Sequence, residues 1–323
     1  NIFDSIYLTG SMAFELGPTK SVTLSNGNSK TVSTMTVGVA NVNAFVGLNG
    51  PYWTDTNGDH SVQASELSAS AIGFSVTDLD AALVVMASTA TNDLGAFVAL
   101  KASVDSFGLA NMPGGITATG TFDIEANLGV GIAAVNFVAS FPASGGNPAG
   151  YSVNTGPGGV PVLLDFTGPK LDLKLAGNLG VSGIFGIAGT FFFEISPDGL
   201  KVLADGSVNT AAGSFFDVQA LGVIVINSAG IAADIDVSLS AGSGLIGVQI
   251  QNATAELIFN TTSAAQTITI PDKYVANLSA TTQSRLQTDS NGNKYYEVSA
   301  GAPGLVVGES GPADHPDCPG RSG

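Results

Sequence analysis

Apolar and polar residues alternate with a period of two through most of the chain between Ile6 and Phe259. The pattern is plain in Ser11-Met12-Ala13-Phe14-Glu15-Leu16, in Thr121-Phe122-Asp123-Ile124-Glu125 and in Asp234-Ile235-Asp236-Val237-Ser238-Leu239. Successive side chains of a strand point to opposite faces, so this period predicts strands with two unlike faces. Clusters such as Asn26-Gly27-Asn28, Pro113-Gly114-Gly115, Pro157-Gly158-Gly159, Pro197-Asp198-Gly199 and Asn227-Ser228-Ala229-Gly230 separate the runs. Proline presets φ and glycine supplies positive φ, so each cluster is a turn. Many short strands with frequent turns predict an all-β fold.

Leu8-Thr9-Gly10-Ser11-Met12-Ala13-Phe14-Glu15-Leu16 is echoed by Ile187-Ala188-Gly189-Thr190-Phe191-Phe192-Phe193-Glu194-Ile195, and more weakly by Ala118-Thr119-Gly120-Thr121-Phe122-Asp123-Ile124-Glu125-Ala126. The spacing of the three copies is irregular, which makes this a degenerate repeat. Glycine and alanine occupy both faces of strands such as Gly131-Ile132-Ala133-Ala134-Val135 and Gly183-Ile184-Phe185-Gly186-Ile187. Glycine weakens a strand unless another backbone comes close, so these stretches suit tightly stacked coils or closely packed sheets. The expectation is an elongated, repeat-containing β architecture, β-solenoid or β-helix-like, with stacked or open sheets as the alternative. Residues 1–262 form the Gly-rich β region. Residues 263–300 read as a short β-hairpin region turning at Asn291-Gly292. Residues 301–323 read as a linker or tail.

Composition narrows the function classes. The 323 residues hold 10 basic against 26 acidic side chains, a net charge of -16, so nucleic acid is not an expected partner. Charged residues are 11 % and hydrophobic ones 44 %, which excludes global disorder and coiled coils. The 42 glycines keep no three-residue period, which excludes collagen. The longest apolar run, Ile184 to Phe193, is interrupted by Gly186, Gly189 and Thr190, so no transmembrane helix is expected. At 7 % aromatic residues, the chain lacks the regular girdles of an outer-membrane barrel. It opens on Asn1 without Met or signal peptide, which reads as a mature or excised piece. Its one cysteine, Cys318, makes no internal disulfide. The Asn-x-Ser/Thr matches at Asn252, Asn260 and Asn277 are expected by chance in so polar a composition.

One stretch carries chemistry. In Asp55-Thr56-Asn57-Gly58-Asp59-His60-Ser61-Val62-Gln63-Ala64-Ser65-Glu66, the acceptors fall at the ligand positions of an EF-hand calcium loop. Asp55, Asn57 and Asp59 stand at positions one, three and five, Ser61 at seven, Gln63 at nine and Glu66 at twelve. His60 takes the sixth place, where glycine normally makes the sharp turn. The flanks, Tyr52-Trp53 before and a Ser/Ala segment after, are not a helix pair. The expectation is a lone calcium loop of structural role inserted in a β protein. Asp289-Ser290-Asn291-Gly292-Asn293 begins similarly, but Asn293 and Glu297 do not complete the spacing. The pairs Asp78/Asp80 and Asp234/Asp236 read as solvated strand faces.

A catalytic constellation does not emerge. His60 sits in the candidate calcium loop and His315 in the tail, neither placed as a general base. There is no G-x-S-x-G, H-E-x-x-H or phosphate-binding loop. Cys318 lies apart from the folded region. Arg285 and Arg321 are the only arginines, too few for a polysaccharide-cleaving site. The chain is therefore expected not to be an enzyme.

The segment Phe45-Val46-Gly47-Leu48-Asn49-Gly50-Pro51-Tyr52-Trp53-Thr54-Asp55-Thr56-Asn57-Gly58-Asp59, the Gly-Ser/Thr-x-x-Phe-Glu strand and Asp165-Phe166-Thr167-Gly168-Pro169 resemble repeat regions of very large bacterial secreted or surface proteins. The resemblance implies an extracellular or cell-surface, adhesin- or matrix-like β repeat exposed to calcium, and no reaction. The leading expectation is a structural or adhesive module that self-associates or packs on neighbouring repeats, as in a filament or surface layer. The alternative is a carrier module holding a lipid or glycan along an apolar β surface. A polysaccharide-active enzyme comes third.

Overall fold

The computed structural model describes residues 6–59, 64–93, 95–129, 133–182, 185–210, 216–241, 253–301 and 305–309. The fold is all-β, as the alternation predicts. Five long strands come first: Ile6–Thr23 (β1), Ser29–Leu48 (β2), Ile72–Ser88 (β3), Ala96–Ala110 (β4) and Ile116–Gly129 (β5). An insert follows, with a helical turn at Phe137–Ser140 (α1) and the small hairpin Tyr151–Val153 (β6) and Val162–Leu164 (β7). The meander resumes with Lys170–Val181 (β8), Phe185–Ser196 (β9), Gly199–Thr210 (β10), Phe216–Asn227 (β11), Gly230–Ala241 (β12) and Ala253–Asn260 (β13). A second layer comprises Gln266–Ile270 (β14), Asp272–Val275 (α2), Ala280–Arg285 (α3), Gln287–Thr288 (β15) and Lys294–Val298 (β16). Leu305–Glu309 (β17) then returns to the main sheet.

The main sheet has 12 strands in the order β1-β2-β3-β4-β5-β8-β9-β10-β11-β12-β13-β17. Every described ladder is antiparallel. Successive coils of a parallel β-helix would pair in parallel. The pairing observed is that of the open-sheet alternative, because two-residue turns reverse the chain: Ser196 pairs Gly199 across Pro197-Asp198, and Asn227 pairs Gly230 across Ser228-Ala229. Gly199 and Gly230 carry φ of +128° and +143°, so glycine is required where each following strand starts.

The two inserted layers cover one face of this sheet. Over its first half, Phe137, Val153, Leu164 and Phe166 of the insert pack with Val22, Val32, Val84, Met86 and Phe97. The insert is tied by its ends: Asn127 Nδ2 donates to Val135 O (2.8 Å) and to Gly168 O (2.7 Å). Over the second half, Ile268, Ile270, Tyr274, Leu278, Tyr296 and Val298 pack on Phe192, Leu203, Leu221, Val223 and Val225. Tyr274 is fully buried, stands edge-on to Phe192 with centroids 5.1 Å apart, and donates its hydroxyl to Lys174 O (3.1 Å).

This layer corrects three expectations. Residues 263–300 do contain the hairpin at Asn291-Gly292, between β15 and β16, but β14 completes a three-stranded sheet and two short helices join it. Asp234 and Asp236 are not a solvated strand face. Asp234 is 3 % exposed and accepts from Tyr296 Oη (2.7 Å), while Asp236 accepts from Arg285 Nη2 (2.7 Å). The segment read as tail supplies β17, which pairs with β13. Asp78 and Asp80 flank an irregularity of the β2–β3 ladder. Asp78 has φ of +55°, which breaks the pleat, and Asp80 Oδ1 caps the backbone N–H of Asn41 (2.9 Å).

The two faces predict unlike responses to truncation. Phe137→Ala empties a buried site and is expected to cost about 3–5 kcal/mol. Phe14→Ala, at a side chain 59 % exposed on the other face, should stay within about 0.5 kcal/mol. Equilibrium denaturation of both variants checks this; equal losses would contradict the face assignment.

Candidate functional site: an apolar face and an acidic loop

The ladder registers give the composition of the uncovered face. One cross-strand row reads Val42, Leu79, Val104, Phe122, Leu175, Phe191, Ala204, Gly222, Ile235 and Leu257, from β2 to β13. A second reads Phe14, Val37, Leu83, Leu100, Ala126, Leu171, Ile195, Leu200, Ile226 and Ile231, from β1 to β12. None of these positions bears a polar or charged side chain. The charges of the same strands stand on the covered face, where Lys101, Glu125, Lys170, Asp172 and Lys174 form an ion-pair ladder. The recurring offset within the echoed strands is explained by this division. Glu15, Glu125 and Glu194 all face the covered side, and the apolar residue before each faces the other.

Beside the first row, on the side away from the second, runs a third, Phe107, Gly120, Gly177, Gly189, Gly206, Ala220 and Val237 on β4 to β12. Four glycines on adjacent strands lower the surface into a trough. Leu175, Phe191 and Ile235 line it on one side, Leu179 and Ile187 on the other, and its volume is about 830 Å³. At a strand spacing of ~4.8 Å, the six steps from β4 to β12 make it ~29 Å long. The wall side chains stand open: Leu179 and Ile187 are each 42 % exposed. A Cβ on Gly206 would meet only Ala188 O, at 3.5 Å, so packing within the sheet does not demand glycine there.

The acidic loop grows from a separate small core beside the end of β2. Tyr52 stacks on Phe45 with centroids 4.4 Å apart, and Trp53 stands edge-on to Tyr7 at 5.5 Å. Trp53 also bridges Leu67, and Ser68 N donates to Tyr52 O (2.7 Å), so the ends of the loop are held together. The loop brings Asp55, Asp59 and Glu66 together, with one carboxylate oxygen of each within 4.8 Å of the others. Asn57 joins them, donating through Nδ2 to Asp59 Oδ2 (3.0 Å). Ser61 and Gln63, the other two expected ligands, and His60 lie outside the described residues. The clustered oxygens suit a hard cation chemically.

Glu66 has a further role that spacing did not reveal. Its Oε2 accepts from Trp53 Nε1 (3.0 Å), and its Oε1 from Thr56 N (2.9 Å) and Thr56 Oγ1 (2.7 Å). Hydrogen bonds from the Thr56 side chain, then its backbone, and from Trp53 hold the Glu66 carboxyl below its ordinary value. The residue latches the loop on the protein's single tryptophan.

A carboxyl with a depressed folded-state pKa stabilises above its unfolded pKa, and the contribution is lost as pH falls through the folded value. Trp53 emission should therefore shift on acidification at a midpoint below the ordinary glutamate value of 4.5. In Glu66→Gln that acid step should disappear. An unchanged step in the variant would assign it to another group.

No helix among the described residues is long and apolar enough to cross a membrane. No protein-family model, curated protein or solved structure was found to match the chain.

Proposed function

We propose that this chain is a non-enzymatic carrier module that holds lipid hydrocarbon along the uncovered face of its sheet. The observation that carries the reading is the pair of apolar rows that each cross ten strands without one polar side chain. Ten strand steps by twelve residues span ~1,900 Å². The largest apolar patch of a typical soluble monomer is about 300–600 Å². Something apolar must cover so large a face in water, and the trough gives a thin, uncharged, elongated occupant its place. Its ~29 Å length is close to the ~30 Å of a bilayer's hydrocarbon core, which is two acyl chains end to end. The covered face supports this reading over a spanning barrel, since it buries two apolar cores where a channel would keep a polar lumen.

A structural or adhesive module that assembles with copies or neighbouring repeats is the second reading. It draws on β1, whose outer edge has no partner among the described residues over 18 residues. Leu8, Met12 and Leu16 on that strand are 66, 67 and 77 % exposed. Such an edge accepts a further strand. In either setting the proposed location is extracellular or cell-surface, with calcium at Asp55, Asn57, Asp59 and Glu66 pinning the loop. The resemblance to large bacterial surface proteins supports location only.

Titration with a fluorescent long-chain fatty acid tests the carrier reading. Saturable binding is expected, and Gly206→Leu, which fills the trough floor, should weaken it about tenfold by displacing about two methylenes of ligand, ~0.8 kcal/mol each. The variant's thermal midpoint should not fall, because a strand glycine is replaced where there is room. Absent binding, or binding untouched by Gly206→Leu, would contradict the reading.

A further inference from the structure

We infer that the cleft between the covered face of β10–β13 and α3 binds an organic ammonium ion, with Asp205 as its anchoring carboxylate. The cleft has a volume of about 310 Å³ and is lined by Asp205, Gln219, Asp236, Glu256, Thr281 and Arg285, among others. It opens on the covered face, across the sheet from the apolar trough, with which it shares Asp205, Ala220 and Leu221 of the strands between, and the inference does not rest on the carrier reading.

Asp205 is the anomaly. It is 3 % exposed, and its Oδ2 accepts from the backbone N–H of Ser279 (2.7 Å). Its Oδ1 is buried and has no hydrogen-bond partner among the described residues. Thr190, opposite it in the β9–β10 ladder, does not supply one, since its own hydroxyl is also buried and unpaired. Burying a carboxylate without a cation is costly, and buried carboxylates are ordinarily paired. Asp172 follows that rule by pairing with Lys174 and Lys170. Asp234 likewise leaves its Oδ1 unpaired, but its Oδ2 takes Tyr296 Oη and has Arg285 Nη1 3.8 Å away, whereas Asp205 has no ion-pair partner among the described residues.

The cation lining the cleft is engaged elsewhere. Arg285 Nη2 lies 2.7 Å from Asp236 Oδ2, and its Nη1 lies 3.5 Å from Glu256 Oε1 and 3.8 Å from Asp234 Oδ2. Three carboxylates on the lining therefore face one guanidinium, and Asp205 is the one it does not reach.

Two magnitudes choose the kind of cation. Among the described residues, the acidic groups whose oxygens gather within 4.8 Å in threes are Asp55, Asp59 and Glu66, so no three of the cleft carboxylates converge on one point as the ligands of a single metal ion would. The cleft also holds about ten times the ~30 Å³ that one water occupies in the liquid. An alkylammonium fits both facts. Its three N–H donors need acceptors that need not crowd one point. Asp205 Oδ1 supplies the charged one, and Gln219, Ser238 and Thr281 offer neutral oxygens on the same lining.

Isothermal titration calorimetry of the full chain tests this, with 1,4-diaminobutane as the probe and calcium chloride and 1,4-butanediol as comparisons. Binding of the diamine but not the diol is expected. Asp205→Asn should weaken it ~30-fold or more, as for removal of one member of a buried charge pair. The thermal midpoint of that variant should hold or rise, because an uncompensated buried charge is removed while an acceptor for Ser279 remains. Ser238→Phe, which narrows the cleft from β12, two strands away from Asp205, should also abolish binding. Three results would overturn the inference: no heat with the diamine, equal affinity in Asp205→Asn, or calcium binding that depends on Asp205 in its place.

Discussion

A single antiparallel sheet has two faces, and each apolar face must be removed from water by something. This chain carries cover for one. The insert between β5 and β8 and the layer between β13 and β17 both dock on the same side, where they bury Phe137, Leu164, Tyr274 and Tyr296. The other side carries the uncharged apolar rows and receives no described segment. The charge distribution follows from this asymmetry. Charged side chains gather on the covered side, where neighbouring strands and inserted layers supply counter-ions, and the apolar rows exclude them.

The same division explains how the second layer is held. Its contacts with the sheet combine an apolar centre with ion pairs around it: Lys273 with Asp123, and Arg285 with Asp236 and Glu256. Tyr274 and Tyr296 reach both environments, each placing its ring in the core and its hydroxyl on a polar atom of the sheet. Burial raises both tyrosine pKa values, so both hydroxyls remain protonated donors across the ordinary pH range.

Much of this was legible in sequence. Period-2 alternation and the Pro-Asp-Gly and Asn-Gly turns give the strands and hairpins, because both signals are local. The loop spacing singles out Asp55, Asp59 and Glu66, whose carboxylate oxygens stand within 4.8 Å of one another. Long-range partners were not legible. Asp234 looks solvated until Tyr296, 62 residues on, lies over it, and Asp236 until Arg285, 49 residues on, does. Glu66 reads as a ligand by its position, and its latch on Trp53 and Thr56 becomes visible only when the loop closes. Strands rich in glycine suggest stacked coils. Their glycines instead align across Gly120, Gly177, Gly189 and Gly206 into a trough floor, an arrangement set by register and not by composition.

The central claim is that hydrocarbon covers the open face. Native mass spectrometry of the protein, purified without detergent from cells that make it, tests this most directly. The account predicts a population heavier than the 32.3 kDa chain by discrete lipid masses, which organic extraction removes. A spectrum of the bare monomeric chain alone, with no lipid in the extract, would contradict it.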